Sequence, residues 1–169
     1  TGSDTNFFGL KDVQNNSVGM KTIQEALDIR SIILQNLEKA VATCNDAERD
    51  ALTNFAIIGG GPAGVETAGA MAEFKKYILP KDYPELDTAR MSIYLIESGS
   101  ELLSSMSPRS SKNAFNYLKQ MGVDVRLNTA VQSYDGLIIK TNKEAVLKAT
   151  TVVWTAGVKG NVPLGIKKD

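Results

Sequence analysis

Ten consecutive residues constrain this chain more than any others: Phe55-Ala56-Ile57-Ile58, then Gly59-Gly60-Gly61-Pro62-Ala63-Gly64. The apolar run lacks polar alternation and stops at glycine, the pattern of a parallel strand buried on both faces. Pro62 suits the first turn of a helix, and Val65, Ala68, Ala72 and Phe74 then supply an inner face. A strand that turns directly into a helix fits a sheet whose neighbouring strands are parallel, because parallel strands need a crossover.

The rest of the chain extends that unit. Residues 62–79 read as helix, broken at Pro80-Lys81-Asp82-Tyr83-Pro84. Residues 91–96 form a second strand, closed by Glu97-Ser98-Gly99. A helix over 108–121, capped by Gly122, leads to a third strand at 123–127. Short strands at 130–134, 137–141 and 145–148, joined by Asp135-Gly136 and Asn142-Lys143, read as an antiparallel meander. Residues 151–155 make a last apolar strand before Ala156-Gly157. Upstream, residues 22–46 read as one long scaffold helix with Ile23, Leu27, Ile33, Leu34, Leu37 and Val41 at helical spacing. The first twenty residues read as loop, pinned to a core by Phe7, Phe8 and Leu10. The expected class is α/β: a Rossmann-like parallel sheet flanked by helices, with a small antiparallel meander layer.

Composition removes several kinds of chemistry. The 169 residues carry 19 basic and 19 acidic side chains, so bulk electrostatics gives no reason to expect nucleic acid as a partner. There is no histidine, which excludes a His-dependent triad or proton shuttle. The lone Cys44 cannot form an internal disulfide or a CxxC pair, and reads as a small apolar residue on the long helix. No apolar run is long enough for a membrane span, and no signal peptide is visible.

The glycine turn satisfies G-x-G-x-x-G between a strand and a helix, which is the context that gives this pattern meaning. Gly59 permits the tight turn, Gly61 lets a pyrophosphate approach the backbone, and Gly64 lets the helix pack close to the sheet. The helix N-terminus then offers N–H groups and a positive dipole end to phosphate. Glu97 ends the second strand, where a carboxylate accepts both ribose hydroxyls of an adenosine and repels a 2′-phosphate. It lies more than the usual ~20 residues beyond the glycines, because residues 80–90 lengthen the crossover. Together these features favour NAD(H) over NADP(H). Glu66, read as lying in the first helical turn, either stabilises the helix end or contacts the nicotinamide end of the cofactor. Arg109 reads as solvated surface. A methyltransferase also uses a glycine loop and a strand-end acid, but Pro62 to Glu66 and the meander suit a flavoprotein better.

The chain resembles type II NADH dehydrogenases, within the two-dinucleotide-binding flavoproteins. Gly59-Gly60-Gly61-Pro62-Ala63-Gly64-Val65-Glu66-Thr67-Ala68-Gly69 is similar to the family's NADH-binding turn and helix. Thr5-Asn6-Phe7-Phe8-Gly9 and Lys21-Thr22-Ile23-Gln24-Glu25-Ala26-Leu27-Asp28-Ile29-Arg30 resemble the segment leading into it, and Val153-Trp154-Thr155-Ala156-Gly157-Val158 the strand leading out. The resemblance implies NAD(H) contacts along this turn, with Glu97 and Ser98 at the adenosine ribose, Val131 near the adenine, and Glu66, Ala156 and Gly157 near the nicotinamide. It implies a connecting segment at 1–20, an NAD(H)-binding domain at 21–157, and a return towards an FAD domain at 158–169. The parent would pass hydride from NADH to FAD and electrons to a quinone. FAD is not expected on this chain, which would bind nucleotide without turnover. The parent would be cytoplasmic and peripheral on the inner membrane, with room for a homodimer. Ferredoxin and nitrite reductases share the nucleotide turn and stay open as alternatives, as does a non-catalytic NADH-sensing module.

Overall fold

In the computed structural model, which describes residues 2–144 and 146–160, three parallel strands form the centre. They are β3 (Phe55–Ile58), β4 (Ile93–Ile96) and β9 (Thr151–Trp154), and β3 lies between the other two. Their ends are level: Ile58 pairs with Ile96 on one side and with Trp154 on the other. β5 (Asp124–Arg126) continues the sheet beyond β4, and β2 (Val18–Gly19) beyond β9, giving the order β2-β9-β3-β4-β5 with every pairing parallel.

Alternation along β3 divides the core. Phe55 and Ile57 face a layer of helices, while Ala56 and Ile58 face a second apolar cluster. The helical layer contains α2 (Ile23–Ala42), α3 (Asp46–Thr53), α4 (Pro62–Glu73) and α6 (Pro108–Gln120), contributing Leu37, Leu52, Ala68 and Leu118. The opposite layer is the meander β6 (Val131–Tyr134), β7 (Ile138–Thr141) and β8 (Leu147–Lys148), all antiparallel, with Tyr134, Ile139 and Leu147 inward. Each fully buried Leu or Ile of this kind contributes about 1.5–3 kcal/mol. Tyr134 donates its hydroxyl to Ala149 O at 3.0 Å, and burial pushes its phenol above the ordinary range. The start of the third meander strand at Ala145 lies outside the described residues.

The first twenty residues are not the loop expected. They form β1 (Ser3–Thr5), α1 (Lys11–Asn16) and β2. Polar contacts across the fold hold them: Asp12 Oδ2 accepts from Tyr134 N–H, and the Asn16 amide donates to Tyr134 O. β1 pairs antiparallel with β10 (Val158–Gly160), so the segments at residues 3 and 160 run side by side. Thr1 and residues 161–169 lie outside the described part.

The long helix also differs. α2 starts in a capping box, with Thr22 Oγ1 accepting from Glu25 N–H and the Glu25 carboxylate accepting from Thr22 N–H. It stops at Ala42, and Asn45 then caps α3 by accepting from the Ala47 and Glu48 amides. Cys44 is exposed in this link rather than packed on a helix. Ile23, Leu27, Leu34 and Val41 are exposed, and the inner face is Ile29, Asn36, Leu37 and Ala40. Asn36 is kept there by donating to the hydroxyls of Thr150 and Thr151. Nor does the helix after the glycine turn break before Pro80. A π-helical turn over Phe74–Ile78 leads into α5 (Leu79–Asp82), with Leu79 N–H bonding to Phe74 O. Such a widened turn absorbs the missing N–H and steric bulk of a proline.

Candidate functional site

The strand order reverses at β3. The chain moves outward through β4 and β5, then returns through the meander to β9 on the other side. Ligands of open parallel sheets bind beyond the strand ends at such a reversal. Gly59, Glu97 and Thr155 directly follow the level ends of β3, β4 and β9. A cleft of ≈ 230 Å³ lies over them. Its floor includes Ile58 and Gly59, with Glu97, Ser98, Thr129, Ala130 and Val131 towards β4, and Trp154 and Ala156 towards β9 beside Phe8 and Leu10.

The glycines of the turn do separate jobs. Gly59 has φ +116°, and an added Cβ would stand 2.8 Å from Ala156 N. At Gly64 a Cβ would overlap the carbonyl oxygen of Gly59, so this glycine sets how closely α4 meets β3. At Gly60 it would meet Leu102 and Glu97 side chains. Gly61 is different: its φ is −73°, and an added Cβ would find nothing within 4 Å. It caps α4, with Pro62 in the first helical position and Val65 N–H donating to Gly61 O. The Ala63 and Gly64 amides precede that first intrahelical bond and are free for an anion.

Glu97 is tied to the turn. Its Oε2 accepts from Gly60 N–H at 2.5 Å, while Oε1 accepts from Gly99 N–H at 2.6 Å and from the Ser98 hydroxyl at 3.2 Å. Its backbone is fixed as well, by Glu97 N–H to Arg126 O and Thr129 N–H to Glu97 O. A carboxylate offers about four acceptor positions, so these three bonds leave room for about one further donor, and a second would have to displace the long bond from Ser98.

The expected site residues are therefore distributed unevenly. Gly59, Glu97, Ser98, Val131 and Ala156 line the cleft, and Gly157 follows with φ +78°. Pro62 and Ala63 are exposed at the start of α4, while Val65 packs against the helical core. Glu66 is exposed in the second turn of α4, not the first, where the dipole contribution has faded. Arg109 is exposed near the start of α6. The cleft-lining Phe8, Leu10, Thr129, Ala130 and Trp154 are not among the expected site residues, and Phe8, expected to pin the first segment to a core, is exposed. They are assembled from distant segments. The described residues contain no cluster of acidic or sulfur side chains suited to a metal ion, and no helix among them is long and apolar enough to cross a membrane.

Comparison with known proteins agrees with this fold. The chain is 32% identical over 168 residues to the type II NADH:quinone oxidoreductase NdhA of Mycobacterium tuberculosis, covering 97% of this chain and 36% of that protein. It is 29% identical over 172 residues to the external NADH-ubiquinone oxidoreductase 2, mitochondrial, of Saccharomyces cerevisiae, covering 99% and 31% respectively. The chain thus spans about a third of the length of the curated relatives it matches. The structure of NDH2 from Plasmodium falciparum in complex with NADH superposes with a TM-score of 0.88 at 26% identity, covering 94% of this chain and 33% of that one. The family model for pyridine nucleotide-disulphide oxidoreductases matches residues 1–169, and the chain belongs to that family.

Proposed function

We propose that this chain is the NADH-binding domain of a flavin-dependent NADH:quinone oxidoreductase. The observation that carries this reading is the juxtaposition of open space at Gly61 with the Glu97 carboxylate beyond two level strand ends. The pyrophosphate lies against Gly61 and the Ala63 and Gly64 amides, where the helix dipole favours negative charge. Glu97 and Ser98 hold the adenosine ribose, and Val131 borders the adenine. Ala156, Gly157 and Glu66 lie towards the nicotinamide, Glu66 from the exposed side of α4. NADH supplies the hydride. This chain's part is to bind and orient it.

In the parent enzyme the hydride passes to FAD held by the remainder of the protein, and the electrons go on to a quinone. The NADH domain occupies residues 21–157, flanked by the connecting segments 1–20 and 158–169. The antiparallel pairing of β1 with β10 supports that reading, because it brings both connections to one place. The parent is peripheral on the cytoplasmic face of a membrane and forms a homodimer.

Calorimetric titration with NADH and NADPH tests the core of this proposal. NADH should bind more tightly by about 1–3 kcal/mol, the usual cost of a badly paired polar group. Equal affinities, or a preference for NADPH, would overturn the assignment of Glu97.

A further inference from the structure

Phe8 sits in a backbone conformation that its side chain does not favour. Phe8 has φ +50° and Gly9 φ +82°, and Leu10 N–H donates to Phe7 O at 2.9 Å across them. Two central residues at positive φ inside an i to i+3 bond are the mark of a mirror-image β-turn, whose first central position ordinarily holds Asn, Asp or Gly. For a bulky residue the left-handed region is strained, because Cβ crowds the following carbonyl.

Core packing does not account for that strain. The Phe8 side chain remains 64% exposed. Phe7 already covers Trp154, with ring centroids 5.6 Å apart, while Phe8 stands farther off at 6.4 Å. Yet the turn is firmly held. Phe8 N–H donates to Asn6 Oδ1 at 2.9 Å, Asn6 N–H to Gly157 O at 3.3 Å, and Trp154 Nε1–H to Asn6 O at 2.9 Å. The ring lies over Gly157, where an added Cβ would come 2.6 Å from Phe8 Cζ. A strained residue held by its surroundings at the lip of a cleft points to a ligand contact.

Its location indicates which part of the ligand. Phe8 borders the cleft on the β9 side and Glu97 on the β4 side, with β3 between them. This step rests on the function proposed above. If Glu97 holds the adenosine ribose and the turn after β3 holds the pyrophosphate, the other nucleoside lies over β9. We propose that Phe8 is a nicotinamide-contact residue, its ring forming the outer wall of that end of the cleft. A flat, uncharged ring suits this place because it can stack on, or meet edge-to-face, the flat nicotinamide.

The test compares NADH with ADP-ribose, which keeps the adenosine and pyrophosphate but lacks the nicotinamide. Both are titrated calorimetrically against the unaltered chain, Phe8→Asn and Phe8→Tyr, with melting measured in parallel. Asn tolerates positive φ, so Phe8→Asn should melt no lower than the parent chain. Its NADH affinity should fall about three- to tenfold, the range for one aromatic pair, with ADP-ribose affinity unchanged. Phe8→Tyr should retain NADH binding. Should Phe8→Asn melt lower, Phe8→Leu, which removes the ring but keeps bulk, repeats the titration. Equal losses for both ligands, or no loss for NADH, overturn the assignment of Phe8. An unaltered chain that binds neither ligand overturns instead the reading of the domain as an NADH site.

Discussion

The turns that follow β3 and β9 leave the sheet side by side, each with a glycine at positive φ, yet different material closes them. The turn after β3 is closed by backbone: an added Cβ at Gly59 would meet Ala156 N, and one at Gly64 the Gly59 carbonyl. Thr155 joins the two, donating its hydroxyl to Ile58 O at 2.9 Å and to Gly59 O at 3.1 Å. The turn after β9 is closed by the exposed ring of Phe8. Backbone cannot swing aside, whereas a half-free side chain can. On the function proposed above, the first turn is the rigid side of the nucleotide site, while the second borders it with a surface able to yield.

Gly64→Ala should break this contrast most visibly. Neither the Gly59 carbonyl nor α4 can move without disturbing β3, so the loss should reach or exceed ~3 kcal/mol, the top of the usual overpacking range. Thermal or denaturant unfolding measures it, and a loss under ~1 kcal/mol would show that α4 can shift. Gly61→Ala sharpens the comparison within the same turn. Alanine caps a helix less well than glycine, by roughly 0.5–1 kcal/mol, but a stiffer unfolded chain offsets roughly 0.4–1 kcal/mol. Melting should hardly change while NADH affinity drops at least about tenfold, or ~1.4 kcal/mol. Undiminished binding would mean that the pyrophosphate does not lie there. The smallest expected effect is the coupling between Phe8 and Gly157→Ala. The positive φ at Gly157 costs an alanine about 1–2 kcal/mol, and the Phe8 ring moves aside at little further expense. Combining Gly157→Ala with Phe8→Ala should recover almost none of the lost stability. Substantial recovery would show that the ring is as rigid a closure as backbone.

What could be read in the sequence follows the same division. Buried parallel strands appear as unbroken apolar runs, and glycines punctuate them, so β3, β4, β9 and the turn to α4 were legible, as was Glu97 at its strand end. Gly122 was legible too: with φ +84° it closes α6 through Gly122 N–H to Lys119 O. The short elements were not. α1 and β2 depend on contacts with Tyr134 and β9 that lie more than a hundred residues away. The covered face of α2 was not legible, because periodicity locates apolar residues without saying which stripe is covered, and Asn36 is buried there with its amide donated to Thr150 and Thr151. The break before α3 has a local signal, Asn45 followed by Asp46 and Glu48. Half of the cleft wall, including Phe8 and Trp154, becomes visible only when the chain is folded.

Glu97 couples two properties usually considered separately. The carboxylate that we propose discriminates between nucleotides also accepts the Gly60 and Gly99 amides. If that proposal holds, replacing it with a residue that welcomes a 2′-phosphate would also take from the part-buried Gly60 N–H the acceptor it has here, while the exposed Gly99 N–H could turn to water. Nucleotide preference and the shape of the loop would then change together.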